Sequence, residues 1–182
     1  RSTLRDLHGV RMVPLMIAID AQFDSGNIDT VSVDGDEICL RIRPDVGGEH
    51  LQWFHFRVSG AAGRALTLRI LNAGETSYPK GWPDYRACAS TDRRNWFRVP
   101  TRYEGGELII DHPSEHEVVW SAYFAPYSLE RHQELLGRSQ HAGARVQTLG
   151  RTLDGRSPAL LTFGPGALIW TLARQPPRES LA

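Results

Sequence analysis

The chain has little cysteine, no excess charge of either sign and no apolar run long enough to cross a bilayer, and each shortage closes off a class of protein. Its two cysteines, Cys39 and Cys88, are too few for a disulfide framework and too far apart for a CxxC unit. They read as buried thiols of a reducing, cytoplasmic compartment. Basic and acidic residues number 21 each and are interspersed, which removes the electrostatic motive for nucleic acid or for an anionic membrane surface. The stretch 12–19 most resembles a targeting segment, but it is short, contains Pro14 and meets Asp20 without a small-residue cleavage pattern. No GxSxG, Walker A or GxGxxG element is present, so serine-hydrolase and nucleotide-binding readings have no support. The chain opens on Arg1, with methionines only at 12 and 16, so residues 1–16 are expected to be leader or added sequence.

What is there, from about 17 to 127, is alternation. Ile38, Leu40 and Ile42 alternate with Cys39, Arg41 and Arg43, and Leu66, Leu68 and Ile70 with Thr67 and Arg69. Gln52, Phe54, Phe56 and Val58 alternate in the same way with Trp53, His55 and Arg57. Period two is the mark of half-buried strands. Turn signals at Asp34-Gly35, Gly47-Gly48, 60–63, 78–81 and Gly105-Gly106 separate them, and further strands are expected at 107–111 and 117–124. Short strands at this spacing predict an antiparallel β-sandwich over 17–127.

The pattern changes at Pro126. Ser128 is a good N-cap, Glu130 suits a first turn, and Leu129, His132, Leu135 and Leu136 share one side of a helix expected to end near Gly137. Strands are expected at 145–150, 157–163 and 167–175. The last is apolar throughout, as in a buried parallel sheet. Together 128–182 read as the truncated start of an α/β domain.

Several stretches resemble the cytosolic-type zinc carboxypeptidases, the subfamily that includes tubulin deglutamylases and their bacterial relatives. They are Phe23-Asp24-Ser25-Gly26-Asn27, Gln52-Trp53-Phe54-His55-Phe56-Arg57-Val58, Trp96-Phe97-Arg98-Val99 and the run 122–132. The resemblance implies an amino-terminal sandwich followed by the beginning of the peptidase domain, with 150–156 preceding the strand that leads to the zinc loop. It also implies a zinc held by two His and one Glu with water in the fourth position, a separate general-base Glu, and a peptide or protein carboxy-terminus as substrate. Only one role maps onto these residues: Glu179 corresponds to the ligand Glu of the family's HxxE. The His position reads Pro176, whose side chain has no lone pair to offer, while Pro177 matches the residue that commonly follows the ligand His. Two explanations stay open, a single-base change or sequence error in a piece of an active enzyme and a decayed homologue. The second His, the general base and the carboxylate-binding residues are expected beyond residue 182. No catalytic residue and no bound metal are expected in this chain alone, which should be inactive.

His112-Pro113-Ser114-Glu115-His116 matches HxxEH literally, but that motif needs a helix, and here it reads as a solvated hairpin loop. The rival from another class is a non-enzymatic sandwich that presents Trp53, Trp82, Tyr85 and Trp96 as a stacking surface; the plainer reading of those rings is packing.

Overall fold

Alternating apolar residues face one another across two five-stranded sheets. The computed structural model describes residues 16–45, 47–152, 155, 157–164 and 169–171. One sheet has the order β1 (Ala18–Asp20), β4 (His55–Ser59), β10 (Val118–Ala122), β6 (Cys88–Ser90), β7 (Phe97–Arg98). The other runs β2 (Asp29–Asp34), β3 (Glu37–Arg41), β5 (Arg64–Ile70), β9 (Glu107–Ser114), β8 (Thr101–Glu104). Phe54, Phe56, Val58 and Val119 from the first meet Ile38, Leu40, Leu66, Leu68, Ile70, Leu108 and Ile110 from the second in one buried core. Each such side chain contributes about 1.5–3 kcal/mol by leaving water, which makes this interface the main source of stability.

The expected antiparallel sandwich is the fold, with one exception. β3 and β5 pair in parallel, Ile38 beside Leu68, because the intervening β4 crosses to the opposite sheet and the chain must return in its original direction. Asn72 closes the neighbouring loop by copying a peptide: its side-chain amide donates to Ile42 O and its oxygen accepts from Ile42 N, both at 2.9 Å. Between β8 and β9 the two-residue turn Gly105-Gly106 has φ of 60° and 87°, the left-handed pair that a tight hairpin with native twist demands.

Beyond the sandwich, helix α1 (Leu129–His141) precedes a small sheet of β11 (Arg145–Thr148), β12 (Ala159–Thr162) and β13 (Ile169–Thr171). Both of its pairings are antiparallel, against the parallel arrangement the apolar run suggested. Short connections leave no room for the crossover that parallel neighbours require. The helix also outlasts its expected end: Gly137 lies inside it, and the stop comes at Gly143, whose φ of 89° suits the left-handed residue that follows a helix. Its expected apolar side is only partly covered, since Ser139 is the residue it buries. Among the described residues no helix is long and apolar enough to cross a membrane.

Candidate functional site

The segment between β1 and β2 folds tightly on itself, and glycine makes that possible. A Cβ on Gly26 would stand 2.0 Å from the carbonyl oxygen of Ala21, so no other residue fits without moving backbone. The turn holds Ser25 at φ 68°, uncommon for a residue with a side chain, and aims both of its oxygens at β4 and its approach. Ser25 O accepts from Trp53 Nε1 at 2.7 Å, and Ser25 Oγ lies 2.9 Å from His55 Nδ1.

His55 is 1% exposed, with Phe23 edge-on at 4.9 Å and Trp96 at 5.6 Å. Its second nitrogen, Nε2, has no hydrogen-bond partner among the described residues. Burial, and after it the nearby Arg93 guanidinium, pushes its pKa down to about 3. In the unfolded chain a histidine titrates near 6.5, so below that pH the unfolded state binds a proton that the folded state refuses. The contribution is therefore complete above about pH 6.5 and is lost progressively as pH falls toward about 3. The slope approaches about 1.4 kcal/mol per pH unit. Urea unfolding of the native chain and His55→Phe between these limits should show the variant's curve flatter by about one proton. Buried His112 is shifted in the same direction and stays in both proteins as background.

Across from His55, the loop joining β6 and β7 is built on Asp92. Its carboxylate accepts from the N–H of Asn95 at 2.7 Å, the N–H of Arg94 at 2.8 Å and the Asn95 side chain at 2.7 Å. These donors hold its carboxyl well below the usual range. The loop sets Arg93 at φ 61° and turns Arg93 and Arg94 toward α1, where they face Glu130 and Glu134 at 3.9 and 4.0 Å. A cleft of about 640 Å³ lies here, lined by His55, Trp96, this loop and one face of α1.

The sandwich also starts the helix. Ser128 Oγ accepts from Arg131 N, as expected of an N-cap, and Asp24 Oδ2 accepts from Leu129 N at 2.7 Å. An N-terminal N–H that most helices leave to water is here taken by a carboxylate 105 residues earlier. Asp24→Ala should cost about 1 kcal/mol, in the range of lost caps, and accelerate amide exchange in 129–141 more than in β5 or β9.

The residues expected to carry metal chemistry, Glu179 and Pro176, lie outside the described residues. Among those described, no group of three His, Cys, Asp or Glu side chains could hold a metal ion. The HxxEH segment is not helical, in keeping with its rejection as a zinc motif, but it is not a solvated loop either. β9 continues through Ser114, and His112 and Ser114 are buried. Pro113 is tolerated because β8 pairs β9 no farther than Ile110, leaving no ladder bond on that side for proline to break. The aromatic residues pack into the fold. Trp82 is fully buried, Trp96 Nε1 donates to Arg93 O at 3.2 Å, and Tyr85 OH donates to Tyr123 O. Cys88 is buried, whereas Cys39 is partly exposed. What sequence reading missed is the Ser25, His55 and Arg93 grouping. Its parts come from three separate segments with no local spacing, and the signal lies in two stretches that carry the family resemblance, 23–27 with Ser25 and 52–58 with His55.

The two-sheet sandwich and the helix that follows it are similar to parts of solved metallo-carboxypeptidases. The metallo-carboxypeptidase of Burkholderia cenocepacia is 46% identical and superimposes with a TM-score of 0.79 over 84% of this chain and 41% of its own. That of Pseudomonas aeruginosa, solved in complex with (2-guanidinoethylmercapto)succinic acid, is 42% identical with a TM-score of 0.73 over 79% of this chain and 39% of its own. An uncharacterized protein of Zymomonas mobilis is 44% identical over 170 residues, 92% of this chain and 45% of that protein. The profile of the cytosolic carboxypeptidase N-terminal domain matches residues 19–124, and the chain belongs to that family. It spans less than half the length of these relatives.

Proposed function

We propose that this chain is the amino-terminal part of a cytoplasmic, zinc-dependent metallocarboxypeptidase of the deglutamylase-like subfamily, which removes carboxy-terminal amino acids from peptides or proteins. In this reading 17–127 serve as a folding and substrate-gating domain, and 128–182 begin the α/β peptidase domain. The observation that carries it is the family match over 19–124 together with metallo-carboxypeptidase neighbours above 40% identity. Glu179 is then the ligand Glu of the zinc loop.

The two zinc-loop positions that the resemblance points to, Glu179 and Pro176, do not by themselves make up a zinc ligand set. A catalytic site needs three protein ligands; this chain supplies Glu179 and places a proline, with no donor atom, at the neighbouring position. No catalytic step is therefore assigned to it. Pro176 also favours a second reading, an inactive carboxypeptidase homologue or non-enzymatic sandwich module. After dialysis the 182-residue chain should retain no stoichiometric zinc and release no carboxy-terminal residue from peptides, with Pro176 or with Pro176→His. A longer form that includes a second His ligand and the general base should behave differently. There, Pro176→His should hold about one zinc per chain and cleave, and the Pro176 form should do neither. Equal zinc in both by atomic spectroscopy would mean that the HxxE loop lies elsewhere, and cleavage by neither would favour the inactive homologue.

A further inference from the structure

Helix α1 faces two ways. On one side His132, Leu135 and Leu136 are half-buried, and the helix packs on β11 and β12, the latter burying Ala159 and Leu161 outside the sandwich core. On the other side Glu130, Glu134 and Arg138 recur one turn apart and line the cleft of about 640 Å³ that separates α1 from the β6–β7 loop. Both sides of the cleft mix charges, Asp92 beside Arg94 on the loop and Arg131 and Arg138 beside Glu134 on the helix, so the space selects no single kind of ligand. It divides two units that each bury apolar residues of their own.

Polar links cross this boundary. At the first turn of the helix Asp24 Oδ2 accepts from Leu129 N at 2.7 Å, a charge-assisted bond. Farther along, Arg93 faces Glu130 at 3.9 Å and Arg94 faces Glu134 at 4.0 Å. The first of these pairs is shared, since Arg93 also lies over the Phe23 ring at 5.8 Å and Ser128 also bonds Glu130. In the second the side chains are 81% and 60% exposed, so water and salt compete with it directly. Units joined without a large apolar interface move relative to one another. We propose that α1 and the small sheet swing as one unit about the Asp24–Leu129 bond, with Arg94–Glu134 as a latch that holds the cleft closed at low ionic strength and releases it as salt rises. An exposed pair is a weak latch, and that weakness is what lets ionic strength work it. The inference does not depend on the chain being part of a peptidase.

The test measures distances in the 182-residue chain by pulsed electron resonance between spin labels at three exposed positions, Ser32→Cys and Lys80→Cys on the sandwich and Gln140→Cys near the end of α1. The background carries Cys39→Ser and Cys88→Ala and must keep the parent's circular dichroism. Ser32 and Lys80 view Gln140 from two directions, and the pair Ser32–Lys80 is the control within the sandwich. Raising salt from about 0.01 M to about 1 M shortens the screening length from about 30 Å to about 3 Å. A swing of about 15° would then carry Gln140, about 16 Å beyond Leu129 along the helix, by about 4 Å. At least one of the two distributions to Gln140 should broaden or shift by about that much while the control stays fixed. Arg94→Gln and Glu134→Gln, which keep side-chain size, should each give the high-salt distribution already at low salt. The double variant should go no further than either, because both changes break the same link. Unchanged distributions to Gln140 across the salt range overturn the proposal, as does a shift of the control pair, which would mean that the sandwich itself is yielding. Additive effects of the two substitutions would also overturn it, since the residues would then act separately.

Discussion

Trp82→Ala should remove about 3–5 kcal/mol of stability, enough to leave a sandwich of ordinary stability largely unfolded at physiological temperature. The indole is fully buried and touches rings from three directions, Phe54 at 6.4 Å, Tyr85 at 5.1 Å and Tyr123 at 5.4 Å between centroids. It also donates from Nε1 to Ala73 O and to Thr76 Oγ1, both at 2.8 Å. Truncation therefore opens a cavity and strips a buried donor from the 3₁₀ turn at Ala73–Glu75. Trp82→Phe separates the two losses, because it keeps most of the volume and gives up only the hydrogen bonds. Its cost should fall near 1–3 kcal/mol in denaturant titration. If Trp82→Ala unfolds at the same denaturant concentration as the parent, the ring is not the centre of the core.

Gly26→Ala should be nearly as damaging although it adds a single methyl group. The new Cβ would meet Ala21 O at 2.0 Å and its carbonyl carbon at 2.7 Å, and both belong to backbone that cannot rotate away. The loop has to open, which breaks the Phe23 O to Gly26 N hydrogen bond of 2.8 Å and withdraws Ser25 from His55. About 3 kcal/mol or more is expected, at the upper end for overpacking by one methyl. Gly137→Ala is the matched control. Nothing lies within 4 Å of its added Cβ and it sits inside α1, so it should stabilise the chain by up to about 1 kcal/mol. The same change of residue with opposite signs would isolate backbone contact as the cause.

The sandwich was readable because its core strands obey period two, and Ile38, Leu40, Leu66, Leu68 and Ile70 are buried where alternation puts them. Alternation carries no strand direction, which is why the parallel β3–β5 pair could not be foreseen. Nor does alternation decide whether His55 is strand surface or core. The residue lies on the opposite face from Phe54 and Phe56, and that outer face is covered by the loop carrying Phe23 and Ser25 and by Trp96, rings supplied from far along the chain. Gly137 suggests a helix stop because glycine is poor in helices, but its cost of about 1 kcal/mol is small enough for a capped helix to absorb. The expected metal position at Glu179 and Pro176 rests on family resemblance, since a lone carboxylate beside prolines carries no local signal of its own.

The cap that Asp24 places on α1 bears on the order of events during synthesis. A chain emerging amino-terminus first delivers Asp24 to its loop long before Leu129 leaves the ribosome, and domains tend to close as units while the rest is still being made. Starting a helix is the costly step, because several residues must be fixed for the first hydrogen bond. Here that step takes place against a waiting acceptor, so the finished sandwich chooses the residue at which the next unit begins to coil. A sandwich misfolded around the 21–27 turn would leave α1 to nucleate unaided, passing a local error on to residues not yet synthesised.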